Sequence, residues 1–133
     1  MVDFYGFMLA NYAETHGGLL YVQGSGWEWA TAEKVPGTVR AFVAGHLLLP
    51  PDSTLDSTVL QTALEMPSGG LLPLSSAFVP LTRTGPVDGE IWLHPVAFPA
   101  ELPVSEGGRH AVLVSAGGAS VRIPVFIRVP PNT

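Results

Sequence analysis

From residue 120 to residue 129 every second side chain is β-branched and apolar: Val121, Ile123, Val125, Ile127 and Val129. Ser120, Arg122, Pro124, Phe126 and Arg128 stand between them. A strand turns successive side chains to opposite faces, so this alternation predicts a strand with one buried face and one wet face. The run 109–115 precedes it across the short connector Ala116-Gly117-Gly118-Ala119. The two runs read as a closing β-hairpin in an antiparallel sheet. Pro124 has no backbone N–H, which predicts that the last strand lies at a sheet edge or a bulge. An edge strand carrying Phe126 outward is an expected contact for another subunit.

The rest of the chain is punctuated in the same way. Its 15 glycines and 13 prolines fall between short apolar runs. Strands are expected over 5–13, 19–27, 38–48, 58–66, 71–80, 90–98, 109–115 and 120–129. Their breaks are Gly17-Gly18, Val35-Pro36-Gly37, Pro50-Pro51-Asp52, Pro67-Ser68-Gly69-Gly70, Thr84-Gly85-Pro86, the stretch 99–108 and the connector 116–119. In the run 58–66, Leu60, Leu64 and Met66 share a face with Thr58 and Thr62. The run 38–48 is apolar on both faces and is expected as a central strand, or beneath a loop or partner. The expected fold is all-β: an antiparallel Greek-key β-sandwich of seven or eight strands, immunoglobulin-like or C2-like in outline. Residues 1–133 are expected to form a single domain, a length that holds a core without covalent staples.

Composition excludes several classes of function. There is no cysteine, so thiolate metal ligands and disulfides are ruled out. Six basic residues against eleven acidic ones give a net charge of −5, with Lys34 the only lysine. No basic run marks a nucleic-acid partner. No run reaches the about 18 apolar residues that a membrane helix needs. The first ten residues lack the basic start of a signal peptide, and the expected location is cytoplasmic. Only 13% of residues are charged, about half the usual share. A surface so poor in charge must show neutral or apolar groups, which points to self-association or a protein partner.

Each candidate for chemistry has a plainer alternative. Gly24-Ser25-Gly26-Trp27 contains a Gly-x-Gly step, but a phosphate cradle needs a following helix and a completing Lys or Ser/Thr. The plainer reading is a strand that bends at two glycines, with Trp27 capping the sandwich end. Tyr21 and Trp27 fall on one face if the strand runs through both. Tyr21, Trp27, Trp29 and Trp92 stack a ligand or anchor a partner if exposed, and fill the core otherwise. Trp29 is the ring expected at the surface. His16, His46, His94 and His110 have no close pair of the kind that zinc sites use, so no metal is expected. Ser25 lacks the strand–elbow–helix setting of a nucleophile. The carboxylate pairs Asp52/Asp56, Asp88/Glu90 and Glu101/Glu106 read as solvated loop ends. The Pro/Gly-rich stretch 99–108, with Glu101 and Leu102, reads as a long loop, where binding on sandwiches usually resides, or as a plain cross-sheet connection.

Two stretches carry a resemblance. Tyr12-Ala13-Glu14, followed by Gly18-Leu19-Leu20-Tyr21-Val22-Gln23-Gly24-Ser25-Gly26-Trp27, is one. The segment from Pro103 to Arg109 with the closing hairpin is the other. Together they resemble a family of small uncharacterised bacterial proteins. That family shows a Tyr-Ala-Glu-like step, a Gly-Lys-Leu-like strand, a Gly-Gly-Gly-Trp-like turn and a closing hairpin with proline in its last strand. Here His110 stands for the usual aromatic and Ala-Gly-Gly-Ala for the usual acidic turn. The resemblance implies a small Greek-key sandwich and carries no catalytic residue.

The function expected from these residues is a non-enzymatic interaction or assembly module that self-associates. The alternative is a small-ligand or carbohydrate-binding sandwich that uses exposed Trp and the 99–108 stretch. No cofactor, catalytic residue or membrane partner is expected. The candidate interaction surface comprises Trp29, Trp92, Glu101, Leu102, Pro124 and Phe126.

Overall fold

The computed structural model describes residues 2–81 and 90–131. The expected break Thr84-Gly85-Pro86 and the carboxylate of Asp88 lie outside them. The described chain forms nine strands and no helix: β1 (Asp3–His16), β2 (Leu19–Ser25), β3 (Trp29–Thr31), β4 (Gly37–Leu49), β5 (Ser57–Glu65), β6 (Leu71–Pro80), β7 (Trp92–Val104), β8 (Gly108–Ala116) and β9 (Ala119–Arg128). One sheet has the order β2-β1-β4-β7 and the other β3-β9-β8-β5-β6. The orders β1-β4-β7 and β5-β8-β9 correspond to strands A-B-E and C-F-G of the immunoglobulin sandwich.

The core lies between the sheets and is made by alternation. Ile123, Val125 and Ile127 of β9 turn inward against Val112 and Val114 of β8. Leu60 and Leu64 of β5 meet them, with Thr62 buried alongside. Across the gap, Val39, Ala41, Val43, Leu47 and Leu49 of β4 pack with Val96, Ala100, Leu102 and Val104 of β7. β4 sits centrally between β1 and β7, as its doubly apolar sequence predicts. Its outer face keeps Phe42 and Leu48 half-buried.

Three expectations need correction. First, β3 is an additional short strand, which pairs parallel with β9 through Trp29–Phe126, Ala30–Ile127 and Thr31–Arg128. β9 is therefore flanked on both sides over its C-terminal half and is not an edge strand there. Pro124 falls just before the span that β3 covers, where a missing donor breaks no ladder bond. Second, 99–104 is not a loop but the second half of β7, paired with β4 from Gly37–Val104 to Leu49–Trp92. A connection remains only at Ser105-Glu106-Gly107. Third, β2 ends at Ser25, so Trp27 does not continue its face.

Candidate interaction surface

The geometry around Trp29 begins with glycines. Gly24 (φ +62°) and Gly26 (φ +79°) adopt the left-handed backbone that side chains resist. A side chain at Gly24 would also strike the amide of Asn11. This bend carries the chain off β2 and folds Trp27 back over the sandwich end. The Trp27 indole N–H donates to Asn11 Oδ1 at 2.9 Å and to the Gly24 carbonyl at 3.0 Å. Its ring packs half-buried on the core. The chain then reaches β9, where the Phe126 N–H donates to the Glu28 carbonyl at 3.0 Å and the Ala32 N–H to the Arg128 carbonyl at 2.9 Å.

These bonds fix three side chains in a row on the outer face of the second sheet. Trp29 is opposite Phe126, and Phe126 is opposite Arg109 of β8. Trp29 is 54% exposed and Phe126 44% exposed. The Arg128 guanidinium lies over the Trp29 ring, 4.3 Å from its centroid, a cation–π stack. Arg122, further along β9, donates from Nε (3.2 Å) and Nη2 (2.7 Å) to Glu65 Oε2. A cleft of about 660 Å³ opens beside this row, lined by Trp27, Trp29, Phe126, Arg109 and Arg128 with Phe7 of β1. Rings and guanidiniums placed in this way stack and hold anionic or planar groups.

Of the six candidate residues, Trp29, Pro124 and Phe126 come together at this cleft. Trp92, Glu101 and Leu102 lie on β7, in the other sheet. Trp92 is half-buried against the core and meets the ring of His94 edge-on at 6.3 Å. Glu101 projects outward, its Oε1 3.6 Å from Arg40 Nε. Leu102 is corrected: it is fully buried, because even positions of β7 turn inward and its register partner is Val39 of the core. Sequence reasoning missed Arg109 and Arg128, whose signal was weak. Both are lone charges on alternating strands, and only the β8–β9 and β3–β9 pairings bring them beside the rings.

The histidines are dispersed. His16 ends β1 at the surface, and His110 is buried with Nδ1 3.0 Å from the Gly108 carbonyl. His46 and His94 lie on adjacent strands β4 and β7, close enough for charge on His46 to disfavour charge on His94. Among the described residues no three His, Asp or Glu side chains converge as a metal site. No helix among them is long and apolar enough to cross a membrane.

No protein-family model and no curated protein matches this chain. Solved structures that resemble it in shape include the following two. One is the Pseudomonas fluorescens alkylpurine DNA glycosylase AlkC bound to DNA containing an abasic site analog. The match is 14% identical, covers 76% of this chain and has a TM-score of 0.43. This chain spans only 27% of that protein. The other is the first Ig domain of the mouse polymeric immunoglobulin receptor, 12% identical over 80% of this chain and 95% of that one, with a TM-score of 0.39.

Proposed function

We propose that this chain is a non-enzymatic interaction module that associates with copies of itself, in the cytoplasm. One observation carries the reading: the outer face of the β2-β1-β4-β7 sheet leaves Tyr5, Tyr12, Leu19, Tyr21 and Leu93 exposed together. Phe42 and Leu48 lie half-buried among them. An apolar face of this breadth on a chain with few charges favours coverage by protein. The rings and guanidiniums gathered at the Trp29 cleft favour recognition of a planar or anionic group. Light scattering across a concentration series tests the reading. The expected result is a mass that rises with concentration, and a constant monomer mass refutes it.

A second reading is favoured by the exposed Trp29 ring under Arg128. It takes the cleft as a site for a small planar or sugar-like ligand bearing a negative charge. Indole fluorescence titrated with glucose and with glucuronate tests it. Saturable quenching by glucuronate that is lost in Trp29→Ala supports the reading. Identical, unsaturable responses to both sugars overturn it.

A further inference from the structure

We propose that two copies of this chain join edge to edge through β2, antiparallel about a two-fold axis at Tyr21, to form one continuous eight-stranded sheet. The proposal rests on the self-association reading and specifies its surface and geometry.

Backbone N–H and C=O groups at a sheet edge invite another strand unless the edge is blocked. Among the described residues the two sheets end at β2, β7, β3 and β6. The first halves of β1 and β9 are also unpaired on one side. β1 is bent there by its register shift between Tyr5 and Met8, and β9 carries Arg122 and Pro124. Pro95, Pro99 and Pro103 recur every fourth residue along β7, so all three share one side of the strand. Proline is tolerated in a sheet where its nitrogen faces away from the ladder. Every second outward position of β7 therefore lacks a donor. β6 carries Pro73 and Pro80, with a register shift opposite Thr62 and Ala63 that twists the edge between them. β3 spans only Trp29–Thr31. β2 has none of these devices. Its seven residues, Leu-Leu-Tyr-Val-Gln-Gly-Ser, include no proline and no charge.

The occupant follows from the same comparison. A second copy brings the same blocked or short edges, so the edge it has to offer is its own β2. Like pairing with like closes into a two-fold dimer and leaves no open end for a filament. Charge agrees with this choice. A chain of net charge −5 repels its copies wherever carboxylates meet. An uncharged strand sets no like charges across the axis.

The hairpin turn fixes the register. Gly17 (φ +60°) and Gly18 (φ +77°) form a two-residue turn, which makes His16 and Leu19 a hydrogen-bonded pair. Tyr21 and Gln23 then bond back to β1, while Leu20 and Val22 turn their backbone groups outward. A two-fold axis at Tyr21 sets Leu20 against the partner's Val22, with both backbone bonds exchanged. Tyr21 meets the partner's Tyr21 at the closer, non-hydrogen-bonded position, and Leu19 faces the partner's Gln23. Leu19 and Tyr21, 60% and 48% exposed in the single chain, become covered.

The absence of cysteine makes the test clean. In the full chain carrying Tyr21→Cys, the only thiol meets its copy at a Cα separation of about 4.5 Å, within disulfide range. Mild oxidation with copper-phenanthroline is expected to convert it to covalent dimer at least tenfold faster than Leu93→Cys on β7 or Phe78→Cys on β6. Val22→Pro removes an outward donor and is expected to raise the dimer Kd at least tenfold. Circular dichroism reports whether that variant folds, and the cysteine variants decide the matter if it does not. A wild-type chain that sediments only as monomer overturns both this proposal and self-association. A wild-type dimer that Tyr21→Cys locks no faster than the two controls overturns the β2 edge alone.

Discussion

The ring of Phe7 occupies the place where a side chain on Gly45 would stand. Phe7 lies in the register shift of β1 between Tyr5 and Met8, opposite β4. Gly6 (φ +64°) opens that shift and turns the ring inward over Gly45. A Cβ at Gly45 would overlap the ring, so Gly45→Ala is expected to cost about 1–3 kcal/mol by overpacking. Chemical denaturation measures it. Combining it with Phe7→Ala should cost less than the two separate losses added together, because the second change vacates the space that the first one fills.

The closing hairpin supplies a paired test of register. Ile123 faces the core and Arg122 the solvent. Ile123→Asp buries an unpaired carboxylate and is expected to cost several kcal/mol, or to prevent folding. Arg122→Asp breaks the pair with Glu65 and sets two carboxylates together at a partly exposed site, a loss of about 1 kcal/mol. Equal losses in melting temperature would contradict the register.

How far the sequence carries can be read from individual strands. β9 is legible because Val121, Ile123, Val125 and Ile127 alternate without interruption. β7 carries the same period, with Ala100, Leu102 and Val104 buried and Glu101 and Pro103 exposed. Its prolines made that pattern read as loop, since only the position of the strand at an edge makes them compatible with a ladder. β3 was not legible at all. Trp29-Ala30-Thr31 is too short to show a period and becomes a strand only through pairing with residues nearly a hundred positions away. The surface divides in the same way. Exposed Trp29 and outward Phe126 follow from local pattern, whereas the meeting of Arg109 and Arg128 with them depends on sheet order.

Thr62 offers a stabilising substitution. It is buried on β5, and its Oγ1 finds no hydrogen-bond partner among the described residues. Valine keeps the shape and removes the unsatisfied hydroxyl. Thr62→Val is expected to raise stability by about 1 kcal/mol, read as a higher denaturation midpoint at unchanged slope. A loss of that size would mean that the hydroxyl is satisfied in solution.

His94 gives the fold a pH dependence. Partial burial, reinforced by repulsion from His46, holds its pKa below the ordinary histidine value of about 6.5. In the unfolded chain the group takes up its proton near that ordinary value, and in the folded chain only at lower pH. Between the two the unfolded state binds more protons, so this residue lowers stability as pH falls below about 6.5. The loss levels off once folded His94 is protonated as well. Melting temperatures from pH 7.5 down to pH 5 should fall less steeply in His94→Phe than in the wild type.

Sedimentation equilibrium of the unmodified chain from low to high micromolar concentration tests the central claim most directly. The chain has a mass of 14.0 kDa. Self-association through an open β2 edge predicts a weight-average mass that climbs with concentration and levels at twice that of one chain. A mass that stays at one chain up to the limit of solubility contradicts it.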